Sequence, residues 1–220
     1  MALTLDHIVI GAADLAQGRT WALERLGAEP AFGGRHALMG THNLLVRLDD
    51  PAGSERYLEI VTKDPAASKP ARPRWFDMDQ LNVRTAIDQE PTLLAWVART
   101  DDIVGDRERL MDAGLDPGPV VAASRETPEG LLRWRITIPI DGARVAHGAV
   151  PMLITWEGRR PAASLPSSGV SLDRLVVRGL GEPLADELLS ADAVVVPAPG
   201  PALEVTLRAG AGSLILSSID

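Results

Sequence analysis

The order of secondary-structure signals in this chain repeats, and that repeat restricts the fold more than any single motif does. Leu5-Asp6-His7-Ile8-Val9-Ile10 reads as an apolar strand with polar residues set into it. The turn Gly11-Ala12-Ala13-Asp14 leads into an amphipathic helix over Leu15 to Leu26, with Asp14 as N-cap and Gly27 as stop. Three short β-type runs follow, at Pro30 to Ala37, Asn43 to Leu48 and Tyr57 to Val61. Residues 1–62 thus form one strand–helix–three-strand module, βαβββ.

Residues 92–160 repeat the order. A strand at Leu93 to Ala98 is followed by a helix capped by Asp101 or Asp102 and running through Met111, with Gly114 ending it. Strands are expected at Pro119 to Ser124, Leu131 to Pro139 and Pro151 to Trp156, the first two joined by the turn Thr127-Pro128-Glu129-Gly130. Residues 170–220 begin a degenerate third copy packed on the same domain. There Leu172-Asp173-Arg174-Leu175-Val176-Val177 aligns with Leu5 to Ile10 without a gap, and a short helix near Pro183 to Leu189 precedes strands at Ala193 to Val196, Ala202 to Arg208 and Ser213 to Ser217. Between the first two modules, residues 63–91 read as a surface linker pinned by Trp75 and Phe76, with a short helical turn over Trp75 to Met78. The expected class is α+β, built from tandem βαβββ modules.

Alternation along a strand gives the polar residues their meaning. On the first strand, Leu5, His7 and Val9 share one face, and Asp6, Ile8 and Ile10 the other. On the fourth, Tyr57, Glu59 and Val61 share a face. An inward imidazole and an inward carboxylate suit a metal site or an acid–base pair, or form a buried hydrogen bond that only satisfies two polar groups. His36 or His147 would make a third ligand, giving two histidines and a carboxylate with open positions. His36 is also a candidate general base, as is Glu59. Trp96, Trp134 and Trp156 are candidate walls of an apolar ligand pocket, or else ordinary sheet core, and Asn43 is a candidate pocket residue. His42 reads as a loop residue, and Glu157 as either a fourth-strand carboxylate or an exposed turn. Arg99, Arg133 and Arg135 either clamp a carboxylate or face solvent.

Composition removes several function classes. The chain of 220 residues has no cysteine, so any metal is held by His, carboxylate and water, and thiolate nucleophiles are excluded. A net charge of -8 argues against nucleic acid and anionic membranes as partners. With no signal peptide and no apolar run long enough to span a bilayer, a cytoplasmic location is expected. No Gly-x-Ser-x-Gly elbow, HExxH or phosphate-binding glycine loop is present.

The stretches Leu5-Asp6-His7-Ile8-Val9, Gly33-Gly34-Arg35-His36 with Gly40 to Leu45, and Tyr57-Leu58-Glu59-Ile60 with Asp64-Pro65 resemble the glyoxalase-like domain proteins of the vicinal oxygen chelate superfamily. Trp96 to Thr100 and Pro151 to Trp156 extend the likeness into the second module. The resemblance implies paired modules curled into an open, barrel-like sheet around a divalent ion such as Zn, Mn, Fe, Co or Ni. It implies ligands on the first and fourth strands, here His7 and Glu59, and a small oxygenated molecule chelated by the ion. Lyase, isomerase and dioxygenase activities occur on this scaffold, as do binding proteins that only sequester a ligand, and a homodimer is in keeping with it. The second module departs from the pattern, having no His, Gln or Glu on Leu94 to Ala98. The third copy places Arg174 where His7 stands and Ile215 where Glu59 stands.

Overall fold

The computed structural model describes residues 3–127, 130–180, 193–196, 199–210 and 212–219. In chain order the first module holds β1 (Thr4–Gly11), α1 (Leu15–Trp21), β2 (Ala31–His36), β3 (Thr41–Leu48) and β4 (Arg56–Lys63). The helix α2 (Leu81–Gln89) precedes the second module, which holds β5 (Thr92–Arg99), α3 (Ile103–Asp112), β6 (Val120–Thr127), β7 (Gly130–Thr137) and β8 (Met152–Glu157). The C-terminal strands are β9 (Val170–Arg178), β10 (Ala193–Val196), β11 (Leu203–Ala209) and β12 (Gly212–Ser217).

Strands β1 to β8 form one sheet in the order β2-β3-β4-β1-β5-β8-β7-β6. Each half has the same plan, its first strand parallel to its last: β1 with β4, and β5 with β8. The halves meet where β1 runs antiparallel to β5. The sheet curls until its outer strands β2 and β6 lie against each other, making the expected barrel-like form nearly closed.

A curled sheet with apolar residues on both faces needs cover on both. The convex face carries Leu44, Leu58, Ile60, Trp96 and Leu153, packed against α1, α3 and the C-terminal sheet. Asp14 caps α1 by accepting from the Gln17 amide, and Asp102 caps α3 by accepting from Gly105. The first helix continues as a π-helical segment over Ala22–Leu26 and ends at Gly27, whose φ of 63° is left-handed. Gly18 lets α1 sit close on β4, since a Cβ there would lie 2.6 Å from Ile60 Cγ2.

The concave face is filled by the segment expected to be only a surface linker. Trp75, Phe76 and Met78 lie inside the curl with Val9, Val61, Leu94, Trp134 and Ile154. Helix α2 adds Val83 and Ile87 to the same cluster. The two aromatics do pin the segment, but from inside the barrel.

Two details correct the strand reading. In β1 the pairing with β5 jumps from Leu5↔Ala98 to His7↔Val97, leaving Asp6 as a bulge. One extra residue inverts the alternation, so Leu5 joins Ile8 and Ile10 on the convex face instead of lying beside His7. The C-terminal strands form a separate sheet of order β10-β9-β11-β12. There β9 pairs with β10 in parallel and with β11 antiparallel, a different arrangement from the first module despite the likeness of their opening strands. The helix expected near Pro183 to Leu189 and the turn residues Pro128 and Glu129 lie outside the described residues.

Candidate functional site

The bulge at Asp6 aims two successive polar residues of β1 into one site. His7 is 4% exposed and Asp6 fully buried. The His7 ring stacks on Tyr57 of β4, with centroids 4.5 Å apart and planes at 18°. Its Nδ1 lies 2.8 Å from Asp6 Oδ1, and its Nε2 lies 3.6 Å from Glu59 Oε2. The carboxylate of Asp6 thus fixes the ring so that Nε2 is the nitrogen turned toward Glu59. Asp6 Oδ2 accepts from Trp156 Nε1 at 3.1 Å and from Arg99 Nη1 at 3.4 Å. It is the neutralising partner of Arg99 and ties β1 to both β5 and β8.

His36 stands at the other side of the carboxylate. Its Nε2 is 3.9 Å from Glu59 Oε1, and its Nδ1 is 3.0 Å from Thr41 Oγ1. The rings of His36 and Trp75 meet in a T-shape, with centroids 4.9 Å apart and planes at 72°. Burial lowers the His36 pKa to about 4, outweighing the opposite pull of Glu59, so the ring is neutral at pH 7. Asn43 Nδ2 donates to Glu59 Oε1 at 2.5 Å and holds that oxygen in place. Tyr57 is driven well above its usual range by burial and by Asp6 and Glu59, and it stays a protonated phenol.

The donor chemistry fits a divalent ion. Two imidazole nitrogens face one carboxylate, and each ring is held through its other nitrogen, as ligating histidines are. Metal–ligand bonds of about 2.0–2.2 Å place neighbouring donors roughly 3 to 3.5 Å apart. The separations here are slightly wider, and among the described residues no three such groups are already gathered closely enough to hold an ion.

These side chains border a cavity of about 30 Å³, room for an ion or a water or two. The first module supplies its polar wall, while Trp134, Ile136, Ile154 and Trp156 of β7 and β8 make the other wall apolar. Arg125 of β6 closes the gap between them. Burial pulls its pKa below the usual arginine value, opposed by Tyr57 and Glu59.

Of the residues expected at a site, His7, His36, Asn43, Glu59 and Trp156 border this one cavity. Trp96 does not, because its partner across the strands is Ile8 and both face the convex core, where its Nε1 donates to the Ala149 carbonyl. His147 lies exposed on the turn Val145–Gly148 and takes no part in the cavity lining. His42 sits on β3, one residue out of phase with Asn43, with Nδ1 3.8 Å from Asp64. Glu157 is exposed at the end of β8, and Arg133 and Arg135 lie between the inward Trp134 and Ile136 on the outer face of β7. Trp75, Phe76 and Arg125 line the cavity and Asp6 stands behind His7 without lining it; strand alternation and motif reading single out none of them as site residues.

A family model described as a glyoxalase-like domain matches residues 5–192. A search of curated proteins finds no match. Among solved structures, a hypothetical protein from Staphylococcus aureus is 16% identical, covering 99% of this chain and 87% of its own, with a TM-score of 0.54. A methylmalonyl-CoA epimerase from Streptomyces coelicolor is 19% identical over 71% of this chain and 97% of its own, with a TM-score of 0.46. The epimerase from Mycobacterium tuberculosis is 20% identical over 74% and 92%, with a TM-score of 0.41. Matched over most of its length and folded as paired βαβββ modules, the chain belongs to the glyoxalase-like domain family of the vicinal oxygen chelate superfamily.

Proposed function

We propose that the protein is a divalent-metal-dependent enzyme acting on a small oxygenated metabolite, by lyase, isomerase or dioxygenase chemistry. The observation that carries this reading is the pair of imidazoles turned by Asp6 and Thr41 so that both Nε2 atoms face Glu59. A bound ion would supply Lewis-acid polarisation to a chelating carbonyl or enolate. Zn, Mn, Fe, Co and Ni all suit this nitrogen and oxygen donor set.

The chain's own residues divide the remaining work. His7 and Glu59 would hold the ion from β1 and β4. His36 is neutral at pH 7, as either ligation or proton acceptance requires. Asn43 keeps Glu59 Oε1 oriented. Trp75 and Phe76 cover the cavity from within the curl and exclude bulk water from it. The apolar wall of Trp134, Ile136 and Trp156 lines the side of the cavity opposite the polar cluster and keeps it dry.

That apolar wall also favours a second reading, a protein that binds or sequesters a small ligand without chemistry. Metal analysis of protein purified without a histidine tag separates the two. The enzyme reading expects near-stoichiometric metal that falls sharply in His7→Ala and Glu59→Ala. Trace metal that is the same in both variants sinks it and leaves the binding reading.

A further inference from the structure

Arg125 carries chemistry that the metal-centred reading does not use. It reaches from β6, an outer strand of the second module, to the polar wall supplied by the first. Its Nη1 donates to Asn43 Oδ1 at 3.5 Å, a long and weak bond. Its Nε is buried and has no hydrogen-bond partner among the described residues. A buried N–H left unpaired is costly, so it marks a place where an acceptor belongs.

The chain makes room for this guanidinium. Gly34 of β2 has φ of +149°, and a Cβ there would meet Arg125 Cδ at 2.9 Å and Nη1 at 3.0 Å. Its neighbour Gly33 is the bulged residue of β2, and a Cβ on it would strike Asn43 Oδ1 at 2.2 Å. The Gly33-Gly34 pair therefore clears space for the two side chains that touch each other at the cavity edge.

Arg125 also borders a second pocket of about 160 Å³, which Phe32, Gly33 and Leu132 help to line. Arg159 and Arg160 also line that pocket. Arg125 is thus shared by a small inner site, where oxygens would meet His7, His36 and Glu59, and a roomier one.

We infer that Arg125 is a substrate-binding residue that takes the carboxylate of a small 2-oxo or 2-hydroxy acid, whose neighbouring oxygen reaches the inner site. The planar fork of an arginine pairs with a carboxylate through two parallel N–H donors, and Nε is one of the pair it can offer. The inference rests on the metal-centred reading and names its substrate class.

Calorimetric titration with pyruvate, with Mn2+ present and again after chelation, tests it. The expected result is pyruvate binding that weakens at least 10-fold in Arg125→Gln and recovers in part in Arg125→Lys, while both variants keep wild-type Mn2+ affinity. The uncharged ester methyl pyruvate should bind the wild type at least 10-fold more weakly than pyruvate, with no further loss in Arg125→Gln. This comparison needs only the wild-type fold. Pyruvate binding that is undetectable, equal to that of the ester, or unchanged in Arg125→Gln overturns the assignment. Preference for inorganic phosphate over pyruvate overturns it too. If Mn2+ fails to bind but pyruvate still binds through Arg125, the metal reading falls and the carboxylate site stands.

Discussion

The Asp6 carboxylate accepts from His7 on its own strand, from Trp156 on β8 and from Arg99 on β5. Removing its charge leaves the half-buried Arg99 guanidinium without its carboxylate and a histidine whose tautomer is no longer fixed. Asp6→Asn should therefore weaken divalent-metal affinity 10- to 100-fold, as loss of a carboxylate behind a ligating histidine does. It should also lower stability by roughly 1–3 kcal/mol, the cost of a buried charged hydrogen bond. Metal titration and urea unfolding of the same variant read the two effects separately. His7, Glu59 and Asn43 were legible from strand alternation and from the family resemblance. Asp6 was not, because alternation sends successive residues to opposite faces, and only a bulge puts both toward the site. Arg125 was hidden for another reason: it sits on an edge strand that alternates inward and outward side chains, where an arginine most often faces water. The available signal was Gly33-Gly34, a pair that implies something bulky passing close to the backbone.

Among the elements, the segment after β4 departs most from what its composition implies. Prolines at Pro70 and Pro73 and scattered charges read as a surface strap, yet Trp75, Phe76 and Met78 enter the concave core and α2 follows. The helix escaped notice because its buried stripe is only Val83 and Ile87, four residues apart, while Leu81 at its start is exposed. Phe76 and Asp77 take left-handed φ values of 60° and 58°, the turn that carries the aromatics inward. Asp77 is held there by Arg144, whose Nε donates to its Oδ2 at 3.0 Å. Ile87→Ala should cost about 2–4 kcal/mol, since the surrounding side chains are already packed and cannot collapse fully. Thermal unfolding checks this; a loss below 0.5 kcal/mol, the size of a surface change, would show that α2 does not pack as described.

At the scale of the whole molecule, the barrel-like sheet and the C-terminal sheet are joined at Asp49. Its Oδ2 accepts from Ser167 Oγ at 2.7 Å, Ser168 N at 3.1 Å and Gly169 N at 2.8 Å, and its amide donates to the Val170 carbonyl. Burial raises the Asp49 pKa, but the hydrogen bonds and Arg47 outweigh it and leave the group below its ordinary value. A carboxyl depressed on folding contributes stability above its unfolded pKa and loses it as pH falls through the folded value. Asp49→Ala should thus lower stability by about 1–2 kcal/mol at pH 7, and the difference from wild type should shrink below pH 4. The repeat in the sequence disclosed the two modules; it did not disclose that the third set of strands pairs in another order, because strand order depends on long-range contacts that a local pattern does not encode. The same asymmetry marks the site, whose titratable donors come from the first module while the second gives an apolar wall and Arg125. Titration of metal-free protein with Co2+, followed by visible absorption, tests this lopsided centre most directly. A one-to-one endpoint with nitrogen-ligand bands, lost in His7→Ala and Glu59→Ala and altered in His36→Ala, is the predicted result; bands that are absent in the wild type, or present and unchanged in all three variants, contradict it.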